Sequence, residues 1–319
     1  MRALVTGAAG FIGSNLCLEL ARRGYRVVGL DDFSTGNFEN LRDFSGDVVA
    51  ANLAQDDWQR QVGRVDLVFH QAAITDTTVV DQMRMMTVNV EAFRSLLKWA
   101  SANRVKKVVY ASSAALYGAG PVPMKESAEP APLNVYAFSK RVMESVAREF
   151  TAATPRLPVA GLRYFNVFGP RERFKDKAAS MIWQLAQQML SGKRPRIFEF
   201  GEQYRDFIYV RDVVRANILA AEKTKARGVY NICTGKKTTF NEIIGFLNHT
   251  LGTKLEPDYF KNPYSFYQNE TLGDPGAAVR GFGFSAEYSV ERAIGEYFGS
   301  RAAGGKEKPS EGRLAGSER

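Results

Sequence analysis

Tyr136 and Lys140 stand four positions apart in the run VYAFSKRVMESV. Its apolar residues recur with a helical period, so both side chains lie on one face of one helix. Upstream, the stretch YASSAA closes a β-branched run with Ser112 and Ser113. A phenol, an ammonium and a small hydroxyl together can move a proton. An unperturbed tyrosine titrates near 10, and bringing it to about 7 needs roughly 4 kcal/mol of differential stabilisation, within reach of a desolvated cation neighbour. Ser113 would then hold a reacting hydroxyl or carbonyl oxygen. A Tyr-x-x-x-Lys pair is common on helices; this one follows a strand-end Ser-Ser and a glycine motif at the start of the chain.

The elements that must carry these residues show a regular alternation. RALVT, YRVVGL, DVVAANL, VDLVFH, KKVVYAS and VAGLRYFN read as strands, and GSNLCLELARR, MRMMTVNVEAFRSLLKWASA and VYAFSKRVMESVAREFTA as helices between them. That order predicts a doubly wound, Rossmann-like α/β domain: a parallel sheet covered on both faces through right-handed crossovers. Ser113 falls at the C-terminal edge of such a sheet, where ligands bind. After Phe168 the rhythm changes to helix at 178–190, short strands at 196–200 and 207–209, and helices at 210–222 and 240–251. The reading is a dinucleotide-binding domain over 1–168 and a smaller mixed α/β substrate-binding lobe over 169–300, with some chain crossing back. The Gly-rich, charged residues 301–319 are expected to be a disordered tail without function.

Gly7, Gly10 and Gly13 follow the first strand and open a helix. Glycines there let the backbone turn tightly and approach a pyrophosphate, which the helix N-terminus attracts. A plain tight turn is the alternative. The second strand ends in Asp31 and Asp32, placed to accept the ribose hydroxyls and to repel a 2′-phosphate, and no basic residue follows until Arg42. This favours NAD, with NADP left open. A positively charged nicotinamide ring near Tyr136 would add to the stabilisation of its phenolate.

Hydrophobic residues make up 45% and charged residues 24% of the 319 positions, an ordinary globular composition. Glycines interrupt the apolar N-terminal run too early for a signal peptide, and no stretch has the length of a membrane span. The two cysteines, Cys17 and Cys233, lack metal-ligand spacing and fit a reducing cytoplasm, so no metal and no membrane are expected. The net charge of +9 is spread along the chain without a basic run interleaved with aromatics. That pattern argues against nucleic acid and suits an anionic small molecule such as a nucleotide diphosphate.

GAAGFIGS, FHQAA, YASSAALYG, YAFSK and RYFNVFGP together resemble the extended short-chain dehydrogenase/reductase superfamily, over residues 1 to about 300. The resemblance implies bound NAD or NADP and a nucleotide-sugar substrate. It also implies a cofactor pocket of the three glycines, Phe11, Ile12, Asp31, Asp32, Asn37, Asn52, Leu53, Ala72, Ala73, Asn89, Ser112, Tyr136, Lys140, Phe165 and Val167. Many members carry Asp-Leu where this chain has Asn52-Leu53; an asparagine carbonyl can still meet the adenine amine. Members that remove water from the sugar carry an Asp-Glu pair where this chain has Ala114-Ala115. The Cys and His pair of the deoxysugar epimerase/reductases has only Cys233 and His249 as nominal matches, and His70 reads as a structural residue.

What remains is oxidation at one carbon, reorientation, and reduction from the opposite face. Two families fit. The UDP-hexose 4-epimerases need only Ser113, Tyr136 and Lys140. The ADP-glycero-manno-heptose 6-epimerases share that set, and this chain is more similar to them in TDTT at 75–78, PLNVYAFSK, RYFNVFGPRE, the Lys175 to Ser180 run, PRIFEFGEQYRDFIYVRDV and FYQNET. After the ketone turns, its oxygen is out of reach of Tyr136, and the family pattern supplies a lysine six residues after Gly-Pro, here Lys175. As a base it needs a pKa lowered by burial; a ligand to the diphosphate or a solvated loop residue are the other readings, the latter preferred for Lys177. The resemblance further assigns Thr75, Asp76, Thr77, Asn166, Ser180, Phe198, Arg205 and Tyr267 to the substrate, with Arg205 on the diphosphate unless it merely pairs with Asp206. It also implies a homo-oligomer through the helical segment 83–102, with Met85, Met86, Val90, Phe93, Leu97 and Trp99 as its apolar face. A non-catalytic dinucleotide-binding protein is a third reading, which the intact Ser113, Tyr136 and Lys140 disfavour.

Overall fold

The structure, a computed structural model, describes residues 1–55, 57–223, 225–261 and 270–302, with the side chains of the last three left aside. In chain order the strands are β1 (Arg2–Thr6), β2 (Arg26–Asp31), β3 (Asp47–Ala50), β4 (Leu67–His70), β5 (Lys107–Ser113), β6 (Val159–Tyr164), β7 (Asn166–Phe168), β8 (Arg196–Phe198), β9 (Tyr204–Arg205), β10 (Phe207–Tyr209), β11 (Gly228–Ile232), β12 (Thr238–Thr239) and β13 (Asp258–Phe260). The helices are α1 (Phe11–Arg22), α2 (Trp58–Val62), α3 (Gln82–Met86), α4 (Ala92–Ala102), α5 (Val135–Ala153), α6 (Met181–Leu190), α7 (Val210–Glu222), α8 (Phe240–Leu251), α9 (Gly276–Phe282) and α10 (Val290–Ala302).

Seven strands form a parallel sheet in the order β11-β6-β5-β4-β1-β2-β3. The winding reverses between β1 and β4, which leaves a crevice beyond their carboxyl ends where Thr6 pairs with His70. Successive residues of β1 feed opposite layers. Ala3 and Val5 pack with Leu16 and Leu20 of α1 and Val213 of α7, whereas Leu4 packs with Phe93 and Leu97 of α4 and Met143 of α5. A side chain of this size contributes about 1.5–3 kcal/mol when fully buried, so these two layers pin the register of the sheet.

The expected helix over 83–102 is continuous but contains a π turn at Thr87–Glu91 between α3 and α4. Its apolar face points inward. Met85, Val90, Phe93 and Leu97 are buried, and Met86 and Trp99 pack on the same core. The residues expected to meet a second subunit are therefore consumed by the sheet; the exposed apolar side chains nearby are Val80, Met83 and Phe138.

Past residue 168 the chain builds a second core around Phe168, Ile182, Leu185, Phe207, Ile243, Leu247 and Ile294. It also returns to the sheet, since α7 packs against α1 and β11 pairs with β6. The helix expected from residue 178 starts at Met181, because the Ser180 hydroxyl accepts the Trp183 N–H and caps it. Among the described residues no helix is long and apolar enough to cross a membrane, and none group as metal ligands.

Candidate active site

A cavity of about 810 Å³ opens over the carboxyl ends of β1, β2, β4, β5 and β6. Its floor is the turn into α1. Gly7 has φ +67°, and a Cβ there would lie 2.6 Å from the Ala72 nitrogen; a Cβ on Gly13 would lie 2.0 Å from the Gly7 carbonyl oxygen. Those two glycines close the turn itself. A Cβ on Gly10 would meet only the Gly7 oxygen, at 3.2 Å. Gly10 caps α1 without any side-chain hydrogen bond, so the start of the helix faces the cavity with backbone donors. This cradle fits a pyrophosphate.

Both carboxylates ending β2 line the rim. Asp31 accepts the Ala9 and Phe33 N–H groups at 2.9 and 2.8 Å, and burial raises its pKa. Asp32 is exposed; it accepts Ser34 Oγ at 2.6 Å and Asn52 Nδ2 at 3.1 Å. The Asn52 side-chain carbonyl accepts the Ala54 N–H at 2.8 Å, which fixes the amide at the rim. A cation does reach this rim. Arg171, distant in sequence, lines the cavity and donates from Nε to the Asn40 carbonyl at 3.2 Å.

Ser113, Tyr136 and Lys140 meet in this cavity. Ser113 Oγ accepts the Ala115 N–H at 3.1 Å, and the hydroxyl is close enough to the Tyr136 phenol to favour its ionised form. Lys140 Nζ lies 5.8 Å from the Tyr136 ring centroid and donates to the Ala111 carbonyl at 2.8 Å. Burial pulls the lysine down to about 7, opposed by the charge of Glu144. Burial also pushes the Tyr136 phenol up, and the Ser113 hydroxyl beside it only works against this. The expected lowering of the phenol is thus not achieved by the polypeptide alone, because loss of water outweighs the hydroxyl.

Beneath the centre lies a buried polar chain. Ser112 donates to Glu144 Oε1 at 2.6 Å, and Glu144 takes both Nε and Nη2 of Arg163, at 2.9 and 2.7 Å. Arg163 continues to the Tyr117 hydroxyl, which donates to Asn231. Ser112 therefore lines the cavity with its hydroxyl directed to the scaffold. His70, the strand-end histidine, bonds Thr6 Oγ1 at 2.8 Å and stacks on Phe93; burial drives it down to about 3, so it is neutral and structural.

The segment after Gly169-Pro170 folds into a short 3-10 helix, Arg173–Ala178, over the opening. Lys175 lines the cavity, half-buried, with Nζ 5.7 Å from the Phe11 ring centroid. Burial lowers its pKa, and the nearby Glu172 opposes that shift. Lys177 is exposed and outside the cavity.

The sequence of residues 3–233 matches the NAD dependent epimerase/dehydratase family. The chain belongs to this family. It is 34% identical over 312 residues to an ADP-L-glycero-D-manno-heptose-6-epimerase of Alkalilimnicola ehrlichii, covering 92% of this chain and 95% of the relative. The solved Helicobacter pylori ADP-L-glycero-D-manno-heptose-6-epimerase superposes with a TM-score of 0.87 at 38% identity, over 95% of this chain and 96% of that one. The Thermotoga maritima UDP-glucose 4-epimerase, solved with UDP-glucose, gives 0.87 at 31% identity, over 94% and 99%. The chain is an NAD-dependent epimerase of the extended short-chain dehydrogenase/reductase type.

Within this family member, Gly7, Gly10, Phe11, Ile12, Gly13, Asp31, Asp32, Asn37, Asn52, Leu53, Ala72, Ala73, Ser112, Phe165 and Val167 all line the cavity, as do Thr75 and Asp76. Asn89 does not. It is fully buried and exchanges hydrogen bonds with the backbone of Ile74, so it holds a lining residue from behind. Thr77, Asn166, Ser180, Phe198 and Arg205 also lie off the described cavity. Asn166 donates to Thr271 Oγ1, Ser180 caps α6, Phe198 packs edge-on to Phe260, and Arg205 Nη1 donates to the Tyr204 carbonyl. Asp206 is fully buried, accepting N–H groups of Thr234, Gly235 and Gly273. Tyr267 lies outside the described residues. Cys233 and His249 do not line the cavity. Lining residues not expected individually include Gln71, Tyr164, Arg171 and Phe174; the first three lie within FHQAA, RYFN and GPRE, motifs whose resemblance signalled them.

Proposed function

We propose that the protein converts ADP-D-glycero-D-manno-heptose into ADP-L-glycero-D-manno-heptose by transient oxidation at C6 of the heptose. The observation that carries this reading is Lys175 in the same cavity as Tyr136, a second proton-transfer group carried by the short 3-10 helix Arg173–Ala178. The heptose epimerases of A. ehrlichii and H. pylori support the choice of substrate. Bound NAD supplies a positively charged ring and a reversible hydride acceptor. Tyr136 takes the proton from the C6 hydroxyl while Ser113 holds that oxygen. Lys140, one turn on, keeps positive charge beside the phenolate and is fixed by the Ala111 carbonyl. Once the ketone has turned, Lys175 donates the proton to its oxygen from the far side. The 6-hydroxyl region of the sugar lies against Thr75 and Asp76, and the diphosphate extends toward the lobe of residues 169–300, with Asn166, Thr77, Ser180, Phe198, Arg205 and Tyr267 as its further contacts.

A UDP-hexose 4-epimerase is the second reading, favoured by the equal structural similarity of the T. maritima enzyme. It needs Ser113, Tyr136 and Lys140 alone and leaves Lys175 without a chemical task. Incubation of the NAD-loaded protein with ADP-D-glycero-D-manno-heptose, followed by NMR of the heptose C6 proton, decides between them. Appearance of the L-glycero epimer supports the first; turnover of UDP-glucose to UDP-galactose without heptose conversion overturns it. We place the enzyme in the cytoplasm as a homo-oligomer, with Val80, Met83 and Phe138 as its exposed apolar contacts.

A further inference from the structure

Glu172 is a fully buried carboxylate with no direct place in the chemistry above. Its Oε1 accepts the Gly169 N–H at 2.9 Å and its Oε2 the Ser180 N–H at 2.7 Å. The Glu172 carbonyl in turn accepts the Lys175 N–H at 2.9 Å. One side chain therefore ties together both ends of a loop of the main chain. Inside that loop lie Arg171, Phe174, Lys175, Asp176 and Ala178, all of which line the cavity. The loop is bolted outward at two further points: the Pro170 carbonyl accepts Asn15 Nδ2 from α1, and Arg171 reaches Asn40 beside the rim of β2. Its far end runs directly into α6 of the second lobe.

We infer that Glu172 is a positioning residue that clasps segment 169–180 over the dinucleotide and sets Lys175 at the reacting carbon. The logic comes from the reaction. An epimerase must return the hydride to the same sugar molecule, so a reduced cofactor that escapes between the two transfers leaves the enzyme inert and the sugar oxidised. A strap held at both ends by one buried carboxylate slows that escape without touching the hydride path. Hydrogen bonds from backbone N–H groups to a carboxylate are charge-assisted, and in a buried site they are stronger than neutral ones. A neutral amide in the same volume keeps one acceptor and presents an NH₂ to the other N–H, so one end of the loop is released.

The placement of Lys175 rests on the epimerase reading above; the clasp on the dinucleotide does not. The test loads the full-length protein with NADH and follows loss of its fluorescence on chasing with excess NAD. Glu172→Gln is expected to release NADH at least about tenfold faster than the parent, in line with loss of one charge-assisted hydrogen bond. Asp206→Asn is the control, since Asp206 is an equally buried acceptor of backbone N–H groups away from the cavity; its release rate should stay at the parent value. Should Glu172→Gln fail to fold, Ser180→Pro removes the Ser180 N–H from the other side of the same bond, at a residue whose φ of −59° suits proline. Parent-like NADH release in both Glu172→Gln and Ser180→Pro overturns the clasp. Equal acceleration in Asp206→Asn also overturns it, by reducing the effect to general loosening. If Lys175→Ala epimerises at the parent rate while Glu172→Gln still releases NADH faster, the clasp stands and the role given to Lys175 falls.

Discussion

Lys175 and Lys177 are two residues apart, yet only the first lines the cavity, with its Nζ over the Phe11 ring; the second is exposed, and its carbonyl accepts Gln184 Nε2. The chain separates them by turning at Asp176, whose φ of 46° breaks the short helix. Lys175→Ala should therefore lower kcat by roughly 10²- to 10⁴-fold, the usual worth of a general acid or base. Lys177→Ala should stay within about twofold, as an exposed substitution away from the site. Steady-state conversion of the heptose substrate, with NAD content checked by absorbance, measures both.

Tyr136 makes a sharper case. Burial raises its phenol, so the protein on its own holds the residue protonated. Tyr136→Phe keeps the ring, its packing and the neighbouring Lys140, and removes only the hydroxyl. The expected result is loss of turnover by about 10³-fold or more with thermal stability and NAD content retained. A variant with unchanged turnover would leave the proton-transfer assignment without its central residue.

The Glu144 and Arg163 pair predicts a stability effect with little ambiguity of mechanism. Both side chains are buried, joined at 2.7 Å, and Glu144 also receives Ser112. Glu144→Ala strands the guanidinium and the Ser112 hydroxyl together. Removing one partner of a buried pair costs about 3–5 kcal/mol. Urea denaturation should show a lower midpoint with little change in slope; a midpoint equal to that of the parent would mean that water replaces the carboxylate.

Glu144 also shows what the sequence made legible and what it did not. Strand and helix alternation, the glycine turn, and the helical spacing of Tyr136 and Lys140 are local patterns, and each led to the element that the structure contains. Glu144 lies one further turn along the same helix face as Lys140, but its partner Arg163 is on β6, and nothing in local spacing joins them. The contact of Arg171 with the rim of β2 is hidden for the same reason: it forms only because the loop after β7 folds back over α1. The apolar face of 83–102 was misassigned because periodicity gives a stripe without saying whether sheet or subunit covers it. Asn89, expected in the pocket, sits within the π turn and supports Ile74 from behind.

Lys140 links the site to pH. Its pKa in the folded chain is about 7, below the 10.5 of an unfolded lysine. Below pH 7 both states carry the proton, and the full cost of burying the ammonium is present. As pH rises from 7 towards 10.5 the folded state gives up its proton first, and the cost fades. Lys140→Met in protein stripped of NAD should therefore be stabilising by up to roughly 3–5 kcal/mol near pH 6, less about 1 kcal/mol for the lost hydrogen bond to Ala111. The gain should shrink steadily by pH 10. Melting curves at the two pH values test the sign, and a gain that grows with pH contradicts it.

The two glycines at the start of α1 should separate folding from binding. On Gly13 a methyl group would sit 2.0 Å from the Gly7 carbonyl oxygen, inside the turn, with the Ala8 Cα only 3.1 Å away. Nothing there is the flexible end of a side chain, so backbone must move, and Gly13→Ala should destabilise the domain by about 2 kcal/mol or more. On Gly10 the same methyl meets one oxygen at 3.2 Å, and the residue's φ of −75° and ψ of 177° are ordinary for alanine. Gly10→Ala should fold within about 1 kcal/mol of the parent, since alanine is a poorer N-cap than glycine but relaxes no packing. Its Cβ nevertheless occupies the space from which a pyrophosphate approaches the helix N-terminus. The protein should therefore melt near the parent temperature in the absence of cofactor and lose the increase in melting temperature that NAD confers on the parent. If Gly10→Ala bound NAD as tightly as the parent, the pyrophosphate would have to lie elsewhere in the cavity than over the amino end of α1.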